Sequence, residues 1–145
     1  MDTFTSMRNL ITLALAAILV MLSACVIMSP VKNVGLTLTG AEEVPPVATD
    51  ARATGTLMVA DNLSVSGSVT TSGLAGVAAH IHVGARGENG PVAIGLAKTA
   101  DNTWAVPSGA KFTADQYAAF LAGRTYVNVH TAANKGGEIR AQLVP

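Results

Sequence analysis

The sequence contains a single cysteine, one tryptophan, two tyrosines and three phenylalanines in 145 residues. One thiol excludes an internal disulfide and any cysteine-built zinc cage, since each needs at least two. Charge is scarce as well: nine Lys plus Arg balance nine Asp plus Glu, so the formal net charge is zero. Without a surplus of cations on one face, the electrostatic basis for nucleic-acid binding is missing, and no nucleic-acid partner is expected. No serine stands in a nucleophile elbow, and no carboxylate pair has the spacing of a glycosidase. No phosphate-cradling glycine run precedes a helix. What is present is apolar substance. Half the residues are hydrophobic and only 12% are charged, which is the wrong balance for a disordered chain. The length suits one ordinary domain with its own core.

The N-terminal stretch reads differently from the rest. Arg8 precedes an apolar run from Leu10 to Leu22, followed by Leu22-Ser23-Ala24-Cys25. A short basic start, an apolar stretch of this length and small residues before a break form the pattern of a secretory signal peptide. Asp2 opposes a positive start, which makes Met7 the better initiator. The Leu-Ser-Ala-Cys string also resembles the bacterial lipoprotein signal, in which the thiol is lipidated and becomes the new N-terminus. On that reading residues 1–24 are the signal peptide, Cys25 is the lipidation site, and 25–33, with Pro30, form a tether. The alternative is an uncleaved membrane anchor running on through Val26, Ile27 and Met28. Both export the domain, and acyl chains on Cys25 would hold it to the cell envelope, periplasmic or outer.

From Val34 the apolar period is two. Val34, Leu36 and Leu38 alternate with small or polar residues, and so do Leu57 and Val59, then Leu63, Val65 and Val69. Asp61-Asn62 between two such runs signals a tight turn. Runs at Val77–Val83, Val92–Lys98, Thr103–Val106, Thr125–Thr131 and Glu138–Val144 continue the series. About eight short strands with turn residues between them predict an all-β antiparallel sandwich or barrel. One segment breaks the rhythm. Thr113-Ala-Asp-Gln116 has the form of a capping box, Tyr117, Phe120 and Leu121 follow at helical spacing, and Gly123 suits the end of a short helix covering one end of the sandwich. Glu42-Glu43-Val44-Pro45-Pro46 reads as a loop or edge segment, since proline cannot donate to a ladder.

All three histidines fall inside predicted strands. His80 and His82 are two apart, so both point to one face, opposite Ala79 and Ile81. In Thr125–Thr131, Val127 and Val129 take the core side, leaving Tyr126, Asn128 and His130 outside. All three imidazoles are therefore expected on the outer surface of the sheet. If the two strands are neighbours, they converge within side-chain reach, which suits copper or zinc with a position left open. The spacing equally fits a hydrogen-bonded cluster in which His130 anchors the Gly136-Gly137 turn. The following loops each carry glycines, a base and an acid. Arg86, Glu88, Asn128 and Glu138 are the candidate ligand rim. The plain alternative is tight turns with solvated charges at Arg86, Glu88, Lys135 and Glu138, and a solvated strand residue at Arg140.

Three motifs in order carry a resemblance: Leu38-Thr-Gly-Ala-Glu-Glu-Val-Pro-Pro46, Ala79-His-Ile-His82 with Gly87–Val92, and Tyr126-Val-Asn-Val-His-Thr131 with Gly137-Glu-Ile-Arg140 and Gln142-Leu143. Together they resemble the CHRD domain, named after chordin and found in many bacterial exported proteins, over residues 34–145. The resemblance implies an extracellular binding module, because chordin is an extracellular antagonist of growth-factor ligands. More faintly, Ala79-His-Ile-His82 and Gly123–His130 are similar to the copper-ligand strands of copper/zinc superoxide dismutase, an eight-stranded Greek-key barrel. That likeness would put His80 and His82 at the paired copper ligands and His130 at the later one. The bridging histidine, the zinc-loop ligands and the disulfide of that family have no counterpart here.

Three functions follow as expectations. The first is a membrane-tethered envelope module holding copper or zinc on His80, His82 and His130. The second is a metal-independent structural or adhesive module that binds an envelope protein. The third, and least supported, is a copper-dependent redox enzyme resembling superoxide dismutase, since an open three-histidine site is necessary but not sufficient for catalysis.

Overall fold

The structure, a computed structural model, describes residues 30–145. The signal-peptide and lipidation expectations at residues 1–24 and Cys25 lie outside the described residues. Nine strands and one α-helix follow in order: β1 (Val31–Thr39), β2 (Arg52–Ala60), β3 (Val65–Ser72), β4 (Gly76–Val83), β5 (Val92–Gly95), β6 (Ala97–Ala100), β7 (Thr103–Ala105), α1 (Ala114–Leu121), β8 (Thr125–Thr131) and β9 (Ile139–Leu143). All pairings are antiparallel, in the order β5-β4-β8-β9-β1-β2-β3-β7-β6. The fold is all-β, as the period of two requires.

The two ends of that order, β5 and β6, are separated in sequence by Leu96 alone. Leu96 buries its side chain and donates its backbone N–H to Ala79 O at 2.9 Å. The chain therefore walks from one end of the sheet to the other across a single corner, so the sheet is nearly closed and neither end strand is a long free edge. On the other side the seam is thin. β1 meets β9 in one register pair, Thr39 with Arg140.

The core lies between the two halves. Leu36, Leu38, Leu57, Val59 and Val69 of β1–β3 face Ile81, Val127, Val129, Ile139 and Leu143 of β4, β8 and β9, all buried. The helix closes one end. Thr113 Oγ1 accepts from Gln116 N at 3.2 Å while Gln116 Oε1 accepts from Thr113 N at 2.9 Å, completing the capping box. Phe120, fully buried, packs beside Phe112 at the end of the core, and Tyr117 donates its hydroxyl to Asp61 Oδ1 at 2.8 Å. Gly123, at φ 66°, ends the segment in the left-handed region.

Three expectations shift. The strand foreseen over Val92–Lys98 is two strands split at the Leu96 corner, which makes nine rather than eight. Leu63 belongs to the turn, with φ 71° and its N–H on Ala60 O, so β3 starts at Val65. Residues 31–33, assigned to the tether, are the start of β1, because Val31, Lys32 and Asn33 pair with Ala60, Val59 and Met58.

Ile81 is fully buried directly behind the histidine-bearing face, whereas Val77 on the same strand is 62% exposed. Ile81→Ala is expected to cost about 2–5 kcal/mol of unfolding free energy, and Val77→Ala less than about 0.5 kcal/mol. Urea titration followed by Trp104 fluorescence reads both.

Candidate metal centre

Strands β4 and β8 pair so that His80 stands opposite Asn128, His82 opposite Tyr126, and Ala78 opposite His130. His130 is thus the diagonal neighbour of His80 on the same face, within the reach of long side chains. The three ring centroids lie 4.8 Å (His80–His130), 5.5 Å (His80–His82) and 6.0 Å (His82–His130) apart. One ring nitrogen from each histidine falls within 4.8 Å of the others. Two nitrogens bound to one ion at about 2.0–2.1 Å each stand at most about 4.2 Å apart. That limit is for a linear pair; in the tetrahedral geometry of zinc two such nitrogens stand about 3.4 Å apart, so the widest pair closes by about 1.4 Å through side-chain rotation on taking an ion.

Backbone carbonyls set two of the tautomers. His82 Nδ1 lies 2.9 Å from Gly90 O and His130 Nδ1 lies 2.9 Å from Lys135 O. A carbonyl only accepts, so both Nδ1 atoms carry the proton, and in neutral rings both Nε2 atoms present lone pairs. His80 Nδ1, 2.9 Å from His130 Nε2, then donates into that lone pair. His82 Nε2 is different: it is buried and has no hydrogen-bond partner. An imidazole whose Nδ1–H is tied to a backbone carbonyl, leaving Nε2 as the free donor atom, is the usual arrangement of a metal-ligating histidine. The donor set fits copper or zinc, and among the described residues it is the cluster of histidine, cysteine or carboxylate groups close enough to share an ion.

Burial lowers the pKa of His80 from 6.5, and the nearby charges of His130 and His82 lower it further. For His82 burial again dominates and pushes it down, with the His130 and Arg140 charges acting the same way, while the Gly90 carbonyl and the neighbouring Asn128 side chain oppose the shift. Neutral rings are therefore favoured at both positions, as metal ligation requires.

Along β8 the outer face is not open to solvent. Every residue of β8 is buried, on both faces, and His82 and His130 are only 7% and 9% exposed. The expectation of imidazoles on an outer surface holds for the direction of the side chains but not for their exposure. A polar roof covers them, and Arg140 holds it. Expected as a solvated strand residue, Arg140 is 1% exposed. Its guanidinium donates to Glu88 O and Ala85 O at 3.0 Å, and to Gln142 Oε1 at 3.2 Å. It also lies over the Tyr126 ring, its Cζ 3.4 Å from the centroid. Tyr126 in turn stacks on His82, with centroids 4.8 Å apart and planes 4° from parallel. Across β9, β8 and β4 the order is cation, phenol, imidazole.

The loop from Gly84 to Pro91 completes the roof. Asn89 Nδ2 donates to Val44 O at 2.7 Å, tying it to the segment after β1, and Gly90 N donates to Tyr126 Oη at 3.2 Å. Gly90 is required at its position, since a Cβ there would stand 1.7 Å from Val83 O. That close approach is what brings its carbonyl to His82. Beneath the loop sits Glu43, 4% exposed, a residue that sequence patterning places merely in a loop. Burial raises its pKa above 4.5 although the Arg140 charge and Asn128 oppose the shift. Glu43 Oε1 and Asn128 Oδ1 lack partners, as His82 Nε2 does. The side chains of Glu43 and Asn128 meet over Gly137, where an added Cβ would lie 2.2 Å from one and 2.5 Å from the other.

The structure separates the candidate rim residues. Asn128 is buried beside the histidines and donates to Gly136 O at 3.2 Å. Arg86 is exposed and ion-paired with Glu42. Glu88 is exposed and contributes its carbonyl to Arg140. Glu138 accepts from Thr49, Thr131 and Asn134 at 2.9, 2.7 and 3.2 Å, hydrogen bonds that hold its pKa low.

This combination of a histidine pair on one strand, a third on its neighbour and a buried arginine under a glycine loop lies within the stretch, residues 34–143, matched by the family model described as the CHRD domain. The chain belongs to the CHRD family. The CHRD domain so delimited begins inside β1 and ends at the last residue of β9. No curated protein and no solved structure matches the chain. Among the described residues no helix is long and apolar enough to cross a membrane.

Two outcomes test the site. Because the folded pKa values of His80 and His82 lie below 6.5, the imidazole contribution to stability is full above pH 6.5 and is lost as the pH falls through the folded values. Glu43 acts with the opposite sign, so the comparison is made against a His80→Gln/His82→Gln variant. The thermal midpoint of the metal-free wild type is expected to fall more steeply than that of the variant between pH 7 and pH 5. Separately, Arg140→Lys removes the planar fork and the stack, and is expected to cost at least about 2 kcal/mol in urea unfolding.

Proposed function

We propose that this CHRD domain is an exported, membrane-tethered binding module that holds one copper or zinc ion on His80, His82 and His130. The observation that carries the reading is His82 Nε2, a buried nitrogen without a partner whose ring is fixed by Gly90 O and which faces two further imidazoles. An orphaned acceptor of this kind costs about 1–3 kcal/mol, and an ion would offset that loss. Bound there, copper or zinc would supply a Lewis-acidic position, and copper also a one-electron couple. The chain's own part is to set the tautomers through Gly90 and Lys135, to hold the His82 plane against Tyr126, and to keep water from most of the site with the Arg140-braced loop. The proton on His80 Nδ1 moves to Nε2 if Nδ1 takes an ion, so a neutral ring releases none; below the folded pKa values, rings that carry a second proton release it on loading.

Purified full-length protein titrated with Cu(II) and with Zn(II), then dialysed and analysed for metal, tests the assignment. One equivalent is expected for the wild type. His80→Ala, His82→Ala and His130→Ala are each expected to lose it while remaining folded by circular dichroism. Wild-type protein that stays metal-free at micromolar copper and zinc overturns the reading.

A metal-independent module that binds an envelope protein is the second reading. It is favoured by the direct His80–His130 hydrogen bond, which satisfies that pair with no ion present. Export and tethering rest on the residues preceding the domain. The lipid assignment predicts that Cys25→Ser moves the protein from the membrane fraction to the soluble envelope fraction, as read by fractionation and by the mass of the N-terminal peptide.

A further inference from the structure

Beside His80 and His130 the surface opens into a depression of about 410 Å³ lined by Val77, Ala78, Thr131, Ala132 and Lys135. Its lining is almost wholly apolar, includes His80 and His130, and holds no carboxylate. Lys135 is exposed at its rim, and among the described residues no acidic group pairs with it: the ion pair present is Arg86 with Glu42, on the far side of the roof. Two other depressions, about 250 and 370 Å³, are lined by Glu42 and Arg86, whose charges already neutralise each other. Of these three, the histidine-side depression combines an apolar wall with an unbalanced positive charge. Its size is in the range of small-molecule sites, roughly 300–1,000 Å³.

We propose that this depression is a ligand pocket for a small amphiphilic anion, an aromatic or short-chain carboxylate. Its apolar body lies on Val77, Ala78 and Ala132, and its carboxylate is directed to Lys135 and to the open coordination position of the three-histidine site. The proposal rests on the metal reading above. Three features support it together. The roof shuts the His82 side of the site, so access is from the side of His80, the least buried of the three rings. Val77 leaves a large apolar side chain in solvent at the pocket edge, 62% exposed, where a ligand would cover it. Lys135 links the pocket to the ligand set through its own backbone, because its carbonyl fixes the His130 tautomer.

The test uses full-length protein loaded with Cu(II), followed by its electron paramagnetic resonance and visible spectra during titration with benzoate and, separately, acetate. Benzoate is expected to bind at least tenfold more tightly than acetate, since covering an apolar wall contributes about 25 cal/mol per Å². Ala132→Trp, which adds bulk on the pocket wall at a residue outside the three histidines, is expected to abolish the preference while copper affinity stays within twofold. Lys135→Met is expected to weaken both carboxylates alike by several-fold. Copper that loads normally, with benzoate no tighter than acetate or with the preference kept in Ala132→Trp, overturns the pocket and leaves the metal reading standing. Failure of the wild type to load either copper or zinc overturns the metal reading and the pocket with it.

Discussion

The pairing of β4 with β8 is the constraint on which the rest depends. Side chains alternate with a period of two on both strands, so one register decides two surfaces together. With Ile81 opposite Val127 and Ala79 opposite Val129, the apolar set enters the core, and His80, His82, Asn128 and His130 are assembled on the other face. A slip by one residue would bury the imidazoles in hydrocarbon and expose Ile81. Core energetics therefore maintain the site geometry without any contact among the histidines being strong.

That second face needed its own cover, and a charge supplies it. A buried guanidinium is costly unless its donors are satisfied. Arg140 meets the condition through three separate sources: two loop carbonyls, the Gln142 amide and the Tyr126 ring. Since the two carbonyls belong to Ala85 and Glu88, satisfying Arg140 also closes the loop over His82 and delivers Gly90 O to its Nδ1. Loop closure, tautomer selection and burial of the imidazole are thus parts of one hydrogen-bond network.

Much of this was legible in the sequence. The alternation from Val34 onward, the capping box at Thr113 and the separation of His80 and His82 by two residues are local signals with one geometric meaning each. The positions of the third histidine and of the neighbouring strand follow from the same alternation once Val127 and Val129 are read as core. What escaped depends on contacts between distant segments. Arg140 has the sequence context of a solvated strand residue, and its burial is decided by a loop some fifty residues earlier. Glu43 sits in a proline-containing loop, where charge ordinarily means exposure, yet it lies under that same roof. The Leu96 corner has no turn residue of its own beyond Gly95. It is made by a backbone bond to Ala79 that no local pattern announces.

The arrangement of donors and acceptors separates a scaffold from a site. A histidine cluster retained only for packing would be expected to use its nitrogens internally, as His80 and His130 do with each other. His82 does not. Its one donor is spent on Gly90, its ring is clamped against Tyr126, and its remaining lone pair meets no proton. A buried nitrogen left in that state calls for a water or an ion to satisfy it, and the ion is the reading proposed above.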